Sequence, residues 1–331
     1  MKTVYLHVGI HKTATTSIQQ SLIDSRHYLS EQGYYLPIYR FFRNPTGNHS
    51  ALMYTVFSSS PENYHNNVRH TIPLAKRIGK YRQILDEWTA TDKDLILSGE
   101  DISLLSKVEL SNLKTYFEQK GFTVVVLMYL RRPYPLLLSH YQQILKTGRY
   151  TTLGQVELPF AKYQKIRSVF STVKVFSFEE VKMLDGGVTD HFYKALGIAK
   201  ESAVPYYDIN KSSSDQVVRM LRYLNFKEPL ISKNIALNPH RKNHDTYVFD
   251  QIQGDQFKLT QAQFEPLKRR IAIENKYLFK HLGSAYVDQK IELYAGPKPW
   301  TELQRSKALT LSAGFSPQVQ TVITDYLNRQ S

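Results

Sequence analysis

The chain contains no cysteine among its 331 residues, and this absence excludes several kinds of protein at once. Without thiols there is no disulfide framework, no thiolate zinc site and no cysteine nucleophile. No run of the sequence approaches the ~18 apolar residues of a membrane span. The N-terminal apolar run that ends at Gly9 is too short for a secretory signal, because His11 and Lys12 follow it directly. These absences favour the cytoplasm of a bacterium as the compartment.

Acidic residues are scarce relative to basic ones. The chain has 29 Asp and Glu against 43 Lys and Arg, which gives a formal net charge of +14. A positive surface attracts anions such as nucleotides, sulfated glycans or nucleic acid. The basic residues form only short clusters, such as Lys268–Arg270, so charge alone does not select a partner. Apolar residues make up 42% of the chain, with 23 Tyr and 16 Phe, which is enough for a globular core.

The order of predicted elements indicates an α/β protein with a central, mostly parallel sheet flanked by helices. We predict one domain over residues 1–331, with an α/β core in residues 1–205 and a mainly helical cover or subdomain in residues 206–331. The loop-rich stretch 34–72 is expected to lie over an acceptor site. Predicted strands are Val4–Val8, Asp94–Ser98, Phe122–Leu130 and Val173–Phe178, and predicted helices are Lys76–Thr89, Ser111–Lys120, Pro135–Lys146, Asp215–Asn225 and Gln261–Lys280.

Residues 9–17, with the sequence Gly-Ile-His-Lys-Thr-Ala-Thr-Thr-Ser, lie between the first predicted strand and a helix. At such a position backbone N–H groups and the helix dipole converge on an anion, and Lys12 adds a point charge. The loop is not a Walker A motif, because His11 stands where that motif has glycine. A Thr-rich helix cap without a ligand is the alternative interpretation. The candidate anion-binding residues are His11, Lys12, Thr13, Ala14, Thr15, Thr16 and Ser17.

A second candidate anion site follows the strand that ends at Leu130. Arg131 comes directly after this strand, and Ser139 lies eight residues further on, inside the next helix. An arginine at a strand end and a hydroxyl on the following helix are suited to one phosphate. Taken alone, Arg-x-Pro before a helix is an ordinary way to begin a helix.

Together, these two segments resemble the donor-binding segments of sulfotransferases that use 3′-phosphoadenosine 5′-phosphosulfate (PAPS), in the form found in bacterial carbohydrate-type members. The likeness covers mainly residues 1–180. It implies a P-loop-like fold, a 5′-phosphosulfate site at residues 11–17 and a 3′-phosphate site at Arg131 and Ser139. It also implies in-line transfer assisted by Lys12, with PAP as product and no required metal. The sequence departs from the family pattern at Ala14, usually glycine, and at Arg132, usually asparagine.

The acceptor side is less well marked in the sequence. Glu100 follows a predicted parallel strand and is the first candidate for the general base, with His49 as the second. His49, Asp101, Lys146 and Arg149 are the candidate substrate-binding residues. A carbohydrate is the preferred acceptor, while lipid, peptide and phenolic acceptors stay open.

Two other functions share part of this pattern. A nucleotide or sugar kinase would have the same strand, phosphate loop and helix, but it would need a Gly-Lys-Ser/Thr motif and magnesium ligands. A basic nucleic-acid-binding protein would account for the charge, although we expect no nucleic-acid partner because no recognised binding motif is present.

Overall fold

The computed structural model describes residues 2–41, 44–64, 67, 72–199, 212–231, 237–242 and 245–330. These residues form two compact units, each made of several chain segments. Unit 1 contains residues 1–132, 159–209 and 278–286, and unit 2 contains residues 133–158, 210–277 and 287–331. Each unit is described by itself.

Unit 1 is built on a five-stranded parallel sheet in the order β2-β5-β1-β6-β7. The two pairings of β1 bring distant parts of the chain together: Val4 of β1 is in register with Leu95 of β5 on one side and Val124 of β6 on the other. A separate antiparallel pair, β3 and β4, joins Tyr39 to Thr46. The strands are β1 Lys2–His7, β2 Tyr34–Tyr35, β3 Tyr39–Phe41, β4 Asn44–Thr46, β5 Asp94–Ser98, β6 Phe122–Leu130 and β7 Thr172–Ser177.

Helices flank this sheet, as expected for parallel strands joined by crossover connections. The central strand β6 is rich in Val and Leu, and its last five residues are buried, which fits a strand covered on both faces. Side chains of β5, β6, α1 and α9 share one hydrophobic core, which includes Ile96, Leu127, Ile18 and Phe192. The helices are α1 Thr15–Asp24, α2 Arg26–Glu31, α3 Ser50–Phe57, α4 Leu74–Thr89, α5 Lys107–Gln119, α7 Pro159–Val169, α8 Phe178–Lys182 and α9 Gly187–Leu196.

The start of α5 also fixes a neighbouring loop. Ser106 and Glu109 form a capping box, in which each side chain bonds the other residue's backbone N–H. The second carboxylate oxygen of Glu109 accepts hydrogen bonds of 2.6 Å from both the backbone N–H and the hydroxyl of Ser59. Burial raises the pKa of Glu109, but its hydrogen bonds with Ser59 and Ser106 outweigh burial and lower the pKa to about 2. Glu109 is therefore ionised at neutral pH.

Unit 2 is helical, and its isolated strand contacts are short bridges such as Ser214 with Gln256. Apolar side chains from α6, α10, α11 and α13 meet in one core that includes Leu145, Leu221, Ile271 and Ile323. The helices are α6 Pro133–Lys146, α10 Asp215–Lys227, α11 Gln261–Leu282, α12 Glu302–Ser312 and α13 Pro317–Asn328, and the last residues of α11 belong to unit 1.

The structure confirms the predicted fold class, an α/β protein with a central parallel sheet flanked by helices. It assigns residues 133–158 to the helical unit, whereas the sequence analysis placed them in the α/β core. The stretch 34–72, where described, contains β2, β3, β4 and α3 among its loops. Within the ranges given above, no helix combines the length and the apolar character needed to cross a membrane.

Candidate functional site

The candidate site of unit 1 lies along the edge of the sheet where the parallel strands end. In open parallel sheets this edge is where ligands bind. The loop that contains Lys12 follows β1, Glu100 follows β5, Arg131 follows β6, and Glu179 follows β7. The register between neighbouring strands brings these four strand ends to the same side of the sheet.

The loop between β1 and α1 has an unusual backbone. Lys12 has φ of 74° and Ala14 has φ of 60°, both in the left-handed region that residues other than glycine rarely adopt. Such a conformation costs about 1–2 kcal/mol for a residue with a Cβ. Ala14 is also the N-cap of α1, and no side chain caps the N–H groups that begin this helix. Alternating backbone conformations before an uncapped helix are typical of anion-binding loops.

The side chains of this loop fit an anion as well. The hydroxyl oxygen of Thr15 is buried and has no hydrogen-bond partner among the described residues. It lies under Gly9, where a Cβ would approach it to 2.7 Å, so the close approach requires glycine. The hydroxyl of Thr13 donates to the carbonyl of Ile10 at 2.7 Å and holds the loop, while Thr16 is exposed and Ser17 is buried. The candidate residues His11–Ser17 thus form one continuous loop and helix start.

Arg131 contacts the backbone of this loop. Its guanidinium donates to the carbonyl of Lys12 at 3.3 Å and lies over the ring of Phe178 at 5.2 Å. Its Nε lies 3.4 Å from a carboxylate oxygen of Glu179, an ionic contact whose geometry does not meet that of a hydrogen bond. Glu179 also accepts a hydrogen bond of 3.0 Å from the backbone N–H of Arg132. Arg131 therefore links the end of β6 to the loop between β1 and α1.

His11 joins the loop to the carboxylates that follow β5. Its Nδ1 lies 3.5 Å from Glu100 and its Nε2 lies 3.2 Å from Asp101. Burial lowers the pKa of His11, but hydrogen bonds to Asp101 and Glu100 and their charges outweigh burial and raise the pKa to about 9. His11 is therefore an imidazolium at neutral pH that bridges two carboxylates beside Lys12.

The backbone after β5 packs tightly against the start of α3. A Cβ at Gly99 would lie 2.8 Å from the backbone nitrogen of Ser50 and 3.1 Å from its Cα, so only glycine fits. The Ser50 hydroxyl accepts a hydrogen bond of 3.2 Å from the backbone N–H of Asp101. Tyr64 donates to the Asp101 carboxylate at 2.5 Å. These contacts hold Asp101 in a fixed orientation towards His11.

His49 belongs to the support of the site. It is fully buried, its Nδ1 accepts from the backbone N–H of Ser98 at 2.9 Å, and its Nε2 lies 2.8 Å from the carbonyl of Pro37. Burial lowers the pKa of His49 to about 4, against the opposing effect of the carbonyl oxygens of Pro37 and Ser98. With both ring nitrogens engaged by backbone, this arrangement favours a structural role for His49 over the role of base or substrate ligand.

The three remaining candidates lie on α6 or just after it, in unit 2. Ser139 is in the middle of α6, so its pairing with Arg131 stays a prediction. Lys146 is buried and forms an ion pair of 2.8 Å with Asp250, which engages its charge inside the protein. Arg149 is exposed in the turn that follows α6.

The sequence analysis missed two residues of the site, Glu179 and Tyr64. Glu179 follows a predicted strand as Glu100 does, so the same strand-end argument was sufficient to find it. Tyr64 lies in a loop without periodicity, and no sequence signal links it to Asp101. No group of three or more His, Asp or Glu able to hold a metal ion occurs in the part of the chain that the structure describes.

Neither the scan against protein-family models nor the search of curated proteins gives a match. Among solved structures, the chain is similar to a sulfotransferase from Alicyclobacillus acidocaldarius. The identity is 16%, the match covers 64% of this chain and 87% of that one, and the TM-score is 0.38. At this identity and TM-score the likeness does not bear on function.

Proposed function

We propose that this chain is a sulfotransferase that transfers a sulfuryl group from PAPS to a hydroxyl or amine of an acceptor, releasing PAP. A carbohydrate is the preferred acceptor. The observation that carries the proposal is the loop between β1 and α1, where Lys12 and Ala14 are left-handed and the helix start has no side-chain cap. Such a loop offers backbone N–H groups, a cation and hydroxyls to a phosphosulfate.

Each residue near the loop has a distinct task in this proposal. When bound, PAPS supplies an activated sulfuryl group with a phosphate as leaving group. Lys12 and the start of α1 hold that end of the donor and stabilise negative charge on the leaving oxygen. Arg131, fixed by Glu179 and by the carbonyl of Lys12, binds the 3′-phosphate. In this proposal the chain's own cations supply the positive charge, and no metal is needed.

Glu100 is the proposed base on the acceptor side. It is partly exposed, it follows β5, and it lies 3.5 Å from His11. Its carboxylate is the group we propose to accept a hydrogen bond from the attacking hydroxyl. Asp101 is engaged by Tyr64 and by His11, and in this proposal it positions His11 and with it Glu100.

A kinase is the alternative with a similar strand, loop and helix. In a Walker-type loop the Ser or Thr after the lysine holds magnesium through its hydroxyl. Here the residue after Lys12 is Thr13, which is fully buried and donates its hydroxyl hydrogen to the carbonyl of Ile10. This arrangement favours a sulfotransferase over a magnesium-dependent kinase.

The test is calorimetric binding of PAP, of PAPS and of ATP with magnesium to the intact chain. We expect PAP and PAPS to bind, and ATP with magnesium to bind more weakly or not at all. Lys12→Ala and Arg131→Ala should each weaken PAP binding by at least tenfold, since a charge-assisted hydrogen bond contributes about 1.5–3 kcal/mol.

Two controls keep this result interpretable. Lys182→Ala removes an exposed lysine of unit 1 and should leave binding unchanged. Arg131→Lys retains the charge but not the fork of donors, and should give an intermediate affinity. Tight binding of ATP with magnesium in the absence of PAP binding would refute the proposal and favour the kinase.

A further inference from the structure

Unit 2 contains a cavity of about 450 Å³ that the proposed donor site does not use. This volume is within the range of pockets that bind small organic ligands. All of its lining residues belong to unit 2, and they come from α6, α10, α11, α13 and the loops between them. The cavity is therefore formed within one compact unit.

Six aromatic side chains dominate its walls. Tyr141 and Phe257 are buried and stacked, with ring centroids 5.9 Å apart and an interplanar angle of 25°. At the rim, Tyr150 is 40% exposed and Phe226 is 59% exposed, and their rings lie 5.3 Å apart. The remaining pair is Tyr223 and Tyr326, also 5.3 Å apart. Exposed rings at the mouth of an aromatic pocket leave apolar surface for a ligand to cover.

The cavity also carries positive charge that the described residues do not fully neutralise. Arg219 is matched, because it forms a bidentate ion pair with the buried carboxylate of Asp215 at 2.7 and 2.9 Å. Arg222 lines the cavity, is exposed, and has no hydrogen-bond or ion-pair partner among the described residues. Lys227 lies 5.8 Å from the ring centre of Phe226 and interacts electrostatically with the carboxylate of Asp325. The net effect is a cationic rim on an aromatic pocket.

Two polar groups of the lining are already engaged within the protein and are not available to a ligand rich in hydroxyls. The amide oxygen of Gln263 already accepts hydrogen bonds from Arg219 and from the backbone N–H of Thr260. The hydroxyl of Tyr223 donates to Asp325 at 2.5 Å. A sugar needs many hydrogen-bond partners, whereas a planar aromatic ring needs apolar faces to stack on. The lining therefore favours an aromatic ligand over a saccharide.

We infer that this cavity binds a small organic anion with a planar aromatic body, the rings packing between Phe226, Tyr150 and the buried aromatic floor, and the anionic group bound by Arg222. Lys227 adds charge at the rim. An aryl carboxylate and a nucleotide share this chemistry. The inference goes beyond the proposed function and does not rest on it, because the cavity and the loop of Lys12 lie in different units.

Calorimetry on the full chain with matched probes tests the inference. The probes are 2-naphthoate, an anion, and 2-naphthalenemethanol, which has the same rings without the charge. We expect 2-naphthoate to bind about tenfold more tightly, as one charge-assisted contact predicts. Arg222→Ala should abolish that difference, and Phe226→Ala should weaken both probes by up to about tenfold.

Each variant has a control of similar exposure. Arg269→Ala removes an exposed arginine of α11, and Phe279→Ala removes a phenylalanine that is 60% exposed; neither residue lines the cavity, and neither change should affect binding. AMP and adenosine distinguish an aryl carboxylate from a nucleotide as the ligand. A nucleotide site should bind AMP more tightly than both adenosine and 2-naphthoate, and Arg222→Ala should weaken the binding of AMP.

Three outcomes would overturn the inference. One is equal affinity for the charged and the neutral probe, and another is an Arg222→Ala variant that binds as Arg269→Ala does. The third is tighter binding of an acidic disaccharide than of any aromatic probe. The Lys12→Ala variant should bind 2-naphthoate normally, so failure here and failure of the donor experiment are distinguishable.

Discussion

Replacement of Ala14 by glycine should stabilise the protein, although it removes a side chain. Ala14 has φ of 60° and ψ of 25°, a left-handed conformation in which a Cβ costs about 1–2 kcal/mol. Glycine adopts this conformation without that cost, but it raises the entropy of the unfolded chain, which costs about 0.4–1 kcal/mol. The difference is a gain of about 0.5–1 kcal/mol in the free energy of unfolding.

A matched substitution separates the two contributions. Ala90 is exposed at the end of α4, in the same unit, with φ of −73°. Ala90→Gly therefore changes the unfolded state in the same way without relieving strain, and should destabilise the protein by about 0.4–1 kcal/mol. The two variants should differ by about 1–2 kcal/mol, which is the native-state strain at Ala14.

Urea unfolding followed by circular dichroism, with the midpoints of the three proteins compared at equal slope, provides the assay. Ala14→Gly should move the midpoint upwards and Ala90→Gly should move it downwards. Equal destabilisation by the two substitutions would show that Ala14 is not strained and would contradict the proposal that the backbone of this loop binds an anion.

Three further predictions concern the rest of unit 1. The pKa of His11 is raised to about 9, so its contribution to stability is fully present below its ordinary pKa of 6.5 and is lost as pH rises through 9. The wild type should therefore lose about 3 kcal/mol of unfolding free energy between these pH values, and His11→Gln should not. The pKa of Glu109 is lowered to about 2, so its contribution to stability is present above pH 4.5 and is lost as pH falls towards 2. Glu109→Gln should therefore reduce the loss of stability in acid, and it should lower the free energy of unfolding by about 2 kcal/mol at neutral pH. Gly99→Ala should destabilise by about 1–3 kcal/mol because its Cβ meets the backbone of Ser50, whereas Gly79→Ala, in open space on α4, should stabilise by about 0.5–1 kcal/mol; loss of stability in both would contradict the packing argument.

Strands and helices with strong periodicity could be predicted from the sequence. The strands Asp94–Ser98 and Phe122–Leu130 have the predicted bounds. In a parallel sheet covered on both faces, the apolar run in the sequence coincides with the buried length of the strand. The start of α5 lies four residues before its predicted position, since the capping box at Ser106 was not recognised. Unit 2 is made of segments that are far apart in the sequence. Its helix α6 packs against helices from the end of the chain, and no local sequence pattern encodes that contact.

The candidate site was predictable in part for a similar reason. Strand ends mark where a ligand site lies, so the positions of Lys12, Glu100 and Arg131 followed from the order of strands. The environment of each side chain could not be predicted from the order of strands. His49 is polar in sequence yet fully buried between two backbone segments, and Lys146 is a basic residue whose charge is matched by Asp250, 104 positions away in the chain. Only the folded chain shows which polar groups already have partners.

The strand order of unit 1 has a consequence for how the chain folds. The strand β1, which leads into the loop of Lys12, has no pairing partner near it in sequence. Its residue Val4 pairs with Leu95 of β5 and with Val124 of β6. Pairings at such separation require closure of long loops, which slows folding. During synthesis, β1 stays an unpaired strand until β5 has been made, since Val4 and Leu95 are 91 positions apart, so this segment is where aggregation should begin. Slower synthesis at low temperature, or a chaperone that binds extended apolar segments, should therefore raise the yield of folded protein.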